Sequence, residues 1–170
     1  MDSSEMLSVK YVLMYSRVDL RTHATQFIVG SFDGKSFIQE KRATPEAGPQ
    51  FYAPQTFDTP DGRRIMIGWF YDWRMKPEEG LEYAGALTLP RELELDDDKL
   101  LVKPIREAGD LAVDSDENVI ITDKKVTVIG TSEGDMEYVA DINRVDIYRD
   151  GKGIEIFINN GEKSISAWLT

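Results

Sequence analysis

The sequence predicts an all-β protein, and three observations carry that prediction. Turn residues punctuate the chain at short intervals, the segments between them are rich in β-branched and aromatic residues, and several segments alternate apolar with polar side chains. With 41% hydrophobic residues in 170, the chain has enough apolar mass to bury a core. Few helices are expected.

The elements follow from the turns. Asp33-Gly34, between Phe27–Phe32 and Ser36–Lys41, predicts a tight type I′ hairpin, because both residues tolerate positive φ. Thr59-Pro60-Asp61-Gly62 predicts a second hairpin between Thr56–Phe57 and Arg64–Trp69, proline presetting one turn residue and glycine relieving another. Strands are expected at Ala86–Leu95 and Leu100–Lys103 around Asp96-Asp97-Asp98, and at Val119–Thr122 and Val126–Ile129 around Asp123-Lys124-Lys125. A closing meander is read in Val145–Tyr148, Ile154–Ile158 and Ser164–Leu169, with turns at Asp150-Gly151 and Asn159-Asn160-Gly161. In its middle strand Ile154, Ile156 and Ile158 share one face, which is expected to be the buried one. The acidic stretch 105–116 loses the strand pattern and marks a boundary between residues 1–108 and 109–170.

Composition excludes several functions. The 31 acidic against 20 basic side chains give a net charge of -11, which opposes binding to nucleic acid or to an anionic membrane surface. The absence of cysteine removes disulfides, thiolate metal sites and cysteine nucleophiles. His23, the single histidine, cannot build a multi-histidine zinc site and reads as a solvated loop residue. Asp96-Asp97-Asp98 lacks the spaced oxygen ligands of a calcium loop, so neither a metal nor a cofactor is expected. No apolar stretch reaches the roughly 20 residues that span a bilayer, and the first residues lack a leader pattern; a cytoplasmic location is expected.

Three strings, in order, carry a family resemblance. Phe51-Tyr52-Ala53-Pro54-Gln55-Thr56-Phe57 resembles a D-F-Y-A-x-Q-T-F strand, Asp61–Trp69 a G-R-R-I-x-x-G-W hairpin, and Gly85–Leu93 the strand that leads out of a propeller. All three are similar to glycoside hydrolase family 32, whose members cleave β-fructofuranosides. Tyr11–Ser16 and Phe27–Gly34 extend the likeness upstream, and Val145–Asp150 and Ile154–Glu162 resemble the last strands of the family's β-sandwich. The resemblance implies a partial β-propeller, about two blades (the fourth and fifth) of a five-bladed fold, followed by a reduced C-terminal β-sandwich.

It also implies what is missing. The family takes its nucleophile from N-D-P-N-G, a stabilising aspartate from R-D-P and its acid from E-C, and the sequence holds no Asn-Asp-Pro, no Arg-Asp-Pro and no cysteine. Retaining hydrolysis needs two carboxyl groups roughly 5 to 5.5 Å apart across the scissile bond. Arg149-Asp150 lies in a hairpin turn, and Glu78-Glu79 are loop neighbours that cannot oppose each other across a substrate. No catalytic residue is assigned, and the chain by itself is expected to be inactive. Its alternatives are a fructoside-binding or interaction module and the C-terminal part of a split β-fructosidase.

By resemblance, the residues offered to a fructose-containing sugar are Gln50, Tyr52, Trp69 and Trp73. Gln50 stands where the family has a substrate-contacting aspartate, keeping hydrogen-bonding capacity without the charge. Trp69, Tyr71 and Trp73 present flat aromatic faces that either stack on sugar or pack between blades. Arg91 and Glu92 read as a structural ion pair or backbone contact, and Pro90 as an edge or bulge residue. A two-bladed fragment leaves faces and edges uncovered, so a homo-oligomer, most simply a dimer, is expected.

Overall fold

The computed structural model describes residues 9–19, 24–71 and 82–170, and among them the chain is nearly all β, in four antiparallel sheets. His23, Trp73, Glu78 and Glu79 lie outside the described residues. The first sheet holds β1 (Tyr11–Ser16), β2 (Thr25–Phe32) and β3 (Phe37–Ala43) in that order. Register pairs Val12 with Val29 and Met14 with Phe27, so these apolar residues share a face. That face packs into a core with Phe51, Met66, Leu100 and Val102. The β2–β3 turn differs from the expected type I′. Phe32 pairs with Phe37, leaving a four-residue loop in which the Asp33 carboxylate accepts the amides of Lys35 and Ser36 at 2.8 and 2.7 Å. An aspartate that bonds its own turn does not have to adopt positive φ.

The second sheet runs β4 (Tyr52–Asp58), β5 (Arg64–Phe70), β7 (Arg91–Asp96), β8 (Lys99–Pro104), with the short β6 (Ala86–Leu87) also paired to β5. The expected continuous strand 86–95 is therefore broken. Residues 88–90 leave the ladder, and Pro90, which has no amide to give it, accepts the Ile105 amide at 3.1 Å through its carbonyl.

After a 3₁₀ turn at Arg106–Leu111, two three-stranded sheets complete the chain: β9 (Val119–Ile121), β10 (Lys125–Val128) and β11 (Met136–Val139), then β12 (Val145–Asp150), β13 (Gly153–Ile158) and β14 (Lys163–Trp168). β11 had no counterpart in the sequence reading. Val126 and Val128 from one sheet join Ile147, Ile154, Ile156, Ile158, Ile165 and Ala167 from the other in a single core. Fully burying each isoleucine stabilises by about 1.5–3 kcal/mol. The expected single buried face of β13 is corrected: all six of its residues are buried, because Phe157 packs on Ala108 and Tyr148 on the opposite side.

One irregular segment ties the halves together. The peptide 45–50 runs beside β14, with a parallel bridge between Glu46 and Ser164 and hydrogen bonds from the amides of Ala47 to Ser164 (2.8 Å) and Gln50 to Ser166 (3.2 Å). Gly48 is where this strap touches most closely. A Cβ there would sit 2.1 Å from the Ser166 carbonyl oxygen and 2.2 Å from its amide nitrogen.

Candidate functional site

The motif Phe51–Phe57 builds a β-bulge. Tyr52 pairs with Trp69 and Gln55 with Ile67, so Ala53 and Pro54 together face Gly68. Pro54 can sit there because a bulge does not need its missing amide. Ala53 is left-handed at φ 46, a strained conformation for a residue with a Cβ, and its amide is caught by the Ser16 hydroxyl at 2.9 Å. Bulges re-aim neighbouring side chains, and this one sets Tyr52 beside Trp69.

Trp69 stacks on Tyr71 with ring centroids 4.1 Å apart and planes 15° from parallel, and its indole N–H donates to the Ala84 carbonyl at 3.2 Å. Gln50 lies elsewhere. Its side chain is fully buried, donating to the Ser132 hydroxyl at 3.2 Å and accepting the Trp168 amide at 2.9 Å. Of the four residues read from the sequence, Tyr52 and Trp69 are thus neighbours, Gln50 points toward β14, and Trp73 is outside the described residues.

A dense polar cluster centres on Arg91, whose side chain is completely buried. One guanidinium nitrogen donates to Glu46 Oε2 at 2.6 Å and to Ser164 Oγ at 3.3 Å; the other donates to Glu155 Oε2 and Ser166 Oγ, both at 2.6 Å. The guanidinium lies over the rings of Phe51 and Phe157, 4.4 and 5.2 Å from their centroids. Burial pulls the Arg91 pKa down, but the two carboxylates outweigh it and the net shift is upward. Glu155 shifts up as well, because its desolvation and the charge of Glu46 exceed the pull of Arg91 and the Leu89 amide. The expected ion pair of Arg91 exists, with partners from the strap and from β13.

A cleft of about 710 Å³ opens beside this cluster, between residues 86–89 and the β12–β13 hairpin. Phe70 and Trp168, edge to face at 5.4 Å, form an apolar wall, and Arg149, Asp150 and Lys152 line the other side. At the surface, Arg63 grips Glu107 through two nitrogens at 3.0 and 2.7 Å and also bonds Asp61. The Thr59 hydroxyl and then Arg63 hold Asp61 down at about 2; Arg63 first, then the Glu107 backbone amide, hold Glu107 at about 2. Both pKa values are depressed, so the stability these groups add is present above the ordinary carboxylate range and lost as pH falls toward 2.

Glu46 and Glu155 share one guanidinium and are 5% and 6% exposed, whereas a hydrolytic pair must flank a substrate. Among the described residues no group of three acidic or histidine side chains could hold a metal ion. Glu46, Glu155, Ser164 and Ser166 were missed in the sequence, where Glu46 stands 118 residues from Ser164. One signal was there: Glu155 is the sole charged residue in the otherwise apolar run Ile154–Ile158.

Residues 1–104 match the family model described as glycosyl hydrolases family 32 N-terminal domain. A sucrose-6-phosphate hydrolase of Zymomonas mobilis is 35% identical over 111 residues, covering 59% of this chain and 22% of that protein. One from Escherichia coli is 44% identical over 80 residues, covering 46% and 17%. Among solved structures, the family 32 β-fructofuranosidase of Bombyx mori aligns with a TM-score of 0.65 at 24% identity, covering 85% of this chain and 42% of that one. A sucrose-6-phosphate hydrolase from Lactobacillus gasseri gives 0.64 at 19%, with the same coverage. The chain therefore spans less than half the length of these relatives, and the likeness to the solved structures is one of fold. With the family model covering well over half of its residues, the chain belongs to glycosyl hydrolase family 32.

Proposed function

We propose that these 170 residues form the scaffold side of a β-fructosidase that acts on sucrose or its 6-phosphate, and that by themselves they do not hydrolyse it. The observation that carries this reading is the sequence itself: the fourth- and fifth-blade strings are present in order, while the motifs that supply the nucleophile, stabilising aspartate and acid are absent. On this reading the β1–β3 and β4–β8 sheets are those two blades. Residues 109–170 are a reduced β-sandwich, built on the core shared by β10 and β12–β14. The relatives' description as sucrose-6-phosphate hydrolases supports the substrate class. A cytoplasmic location accords with the lack of cysteine, and no described helix is long and apolar enough to cross a membrane.

The purified chain is expected to release no glucose or glucose 6-phosphate above the buffer rate from sucrose or sucrose 6-phosphate. Turnover at any rate set by enzyme concentration would sink the proposal. Sugar binding without hydrolysis is a second reading, favoured by the stacked Trp69–Tyr71 pair and by a cleft of a size that suits a small ligand. Heat on calorimetric titration with sucrose, in a chain with no turnover, would select it.

The first sheet also supports self-association. Among the described residues β1 is an edge strand, and Tyr11, Leu13 and Tyr15 alternate along one of its faces at 43%, 44% and 40% exposure. Phe32 meets Tyr11 edge-on at 5.8 Å and extends the patch. A second copy would cover this face and pair the edge. Light scattering at micromolar concentration is expected to give a dimer mass that Leu13→Asp shifts to the monomer; a monodisperse wild-type monomer contradicts it.

A further inference from the structure

We propose that the cleft between residues 86–89 and the β12–β13 hairpin is a binding site for a small zwitterion with an apolar arm, the chemistry of an apolar α-amino acid. Its volume of about 710 Å³ falls within the roughly 300–1,000 Å³ of small-ligand sites. Its wall is preformed. Phe70 and Trp168 meet edge to face at 5.4 Å, and the Phe70 ring packs so closely on Gly153 that a Cβ there would lie 2.8 Å from it. Trp168 is fixed in turn, its amide by the Gln50 side chain at 2.9 Å and its carbonyl by the Ser132 amide at 2.8 Å. Leu87, 72% exposed, lines the same cleft and extends the apolar surface.

Register decides which groups join that wall. Asp150 pairs with Gly153 and Gly153 with Trp168, while Tyr148 pairs with Glu155 and Glu155 with Ser166. Paired residues share a face of a sheet, and so do alternate residues along a strand, which places Tyr148 and Asp150 on the face that carries Trp168.

Most polar groups of the cleft are already committed. Glu155 accepts from the Leu89 amide and from Arg91, each at 2.6 Å, and the Thr88 hydroxyl accepts the Gly68 amide at 2.9 Å. The Arg149 guanidinium is taken up by Asp116, Asn118 and the Gly151 carbonyl. Three groups are not so engaged. The Tyr148 hydroxyl belongs to a residue only 8% exposed and packed on Phe157, yet among the described residues it has no hydrogen-bond partner. A hydroxyl so deeply placed is costly to leave unpaired, and a ligand group would satisfy it. Asp150 and Lys152, two residues apart at the rim, form no ion pair among the described residues. One anion, one cation, a hydroxyl and an apolar wall match an ammonium, a carboxylate and an apolar side chain joined through one carbon. The ammonium goes to Asp150 and Tyr148, the carboxylate to Lys152, and the side chain to Phe70 and Trp168. A neutral sugar would leave the two opposite charges unused.

The test is an amide-shift NMR titration of the full chain with L-phenylalanine, with phenethylamine, which lacks the carboxylate, and with 3-phenylpropanoate, which lacks the ammonium. L-phenylalanine is expected to saturate shifts at the amides of residues 150–153 and at the Trp168 indole N–H, with a Kd of roughly 1 mM. Each single-charge analogue, and L-phenylalanine on Asp150→Asn or Lys152→Ala, is expected to bind about tenfold more weakly. Both substitutions lie at an exposed hairpin turn and leave the core intact. Shifts that stay linear in L-phenylalanine overturn the proposal, as does any analogue or variant that binds as tightly. Sucrose saturating the same amides more tightly than L-phenylalanine equally overturns it and returns the cleft to the sugar reading.

Discussion

Arg91→Met is expected to lower the free energy of unfolding by about 4 kcal/mol in urea denaturation at neutral pH. Methionine fills much of the volume between Phe51 and Phe157, so the loss is not mainly one of packing. What the substitution removes is the single cation between Glu46 and Glu155, leaving two carboxylates inside a site that is almost fully closed to water. Removing one partner of a buried charge cluster costs far more than replacing the whole cluster with apolar groups. The triple variant Arg91→Met, Glu46→Gln, Glu155→Gln is therefore expected to recover part of the loss. A single variant within 1 kcal/mol of wild type would show that water or a neighbouring group compensates the pair.

Gly48→Ala is expected to cost about 3 kcal/mol and to lower protection of the amides that join the strap to β14. The reason is steric. A methyl at residue 48 meets the backbone of Ser166 at 2.1 and 2.2 Å, and backbone in a paired strand cannot swing aside as a flexible side chain can. The strap must lift, and the bonds from Ala47 to Ser164 and from Gln50 to Ser166 lengthen with it. Because Glu46 lies on the same segment, its contacts with Ser164 and Ser166 weaken together with the bonds of Arg91. Hydrogen exchange showing unchanged protection at residues 47 and 50 would remove the strap from this role.

Much of the fold was legible because turn chemistry is local. Thr59-Pro60-Asp61-Gly62 and Asn159-Asn160-Gly161 marked hairpins that the structure contains, and the last three strands lie within a residue or two of where they were expected. At Asn159-Asn160-Gly161 three successive residues have positive φ, the preference those residue types express anyway. Legibility failed where an outcome depended on a partner distant in sequence. The alternation in Ile154–Ile158 says which side chains share a face, but it cannot say that Ala108 and Tyr148 will cover the other one. Likewise Pro90 was read as an edge or bulge residue of one strand, whereas the strand splits there into β6 and β7, both paired with β5.

The candidate residues divide in the same way. Trp69 and Tyr52 were placed together by the β4–β5 register, which follows from the hairpin between them. Gln50, two residues earlier, was drawn instead into hydrogen bonds with Ser132 and Trp168, which only the path of β14 could bring near. By itself, then, the sequence determined the all-β class, most strand positions and the family, since these rest on periodicity, turn residues and short strings read locally. The tertiary structure decided which charges are buried and what they face. The burial of Arg91 with Glu46 and Glu155 depends on three segments converging from across the chain, and the energy of a charge depends on that surrounding far more than on the residue that carries it.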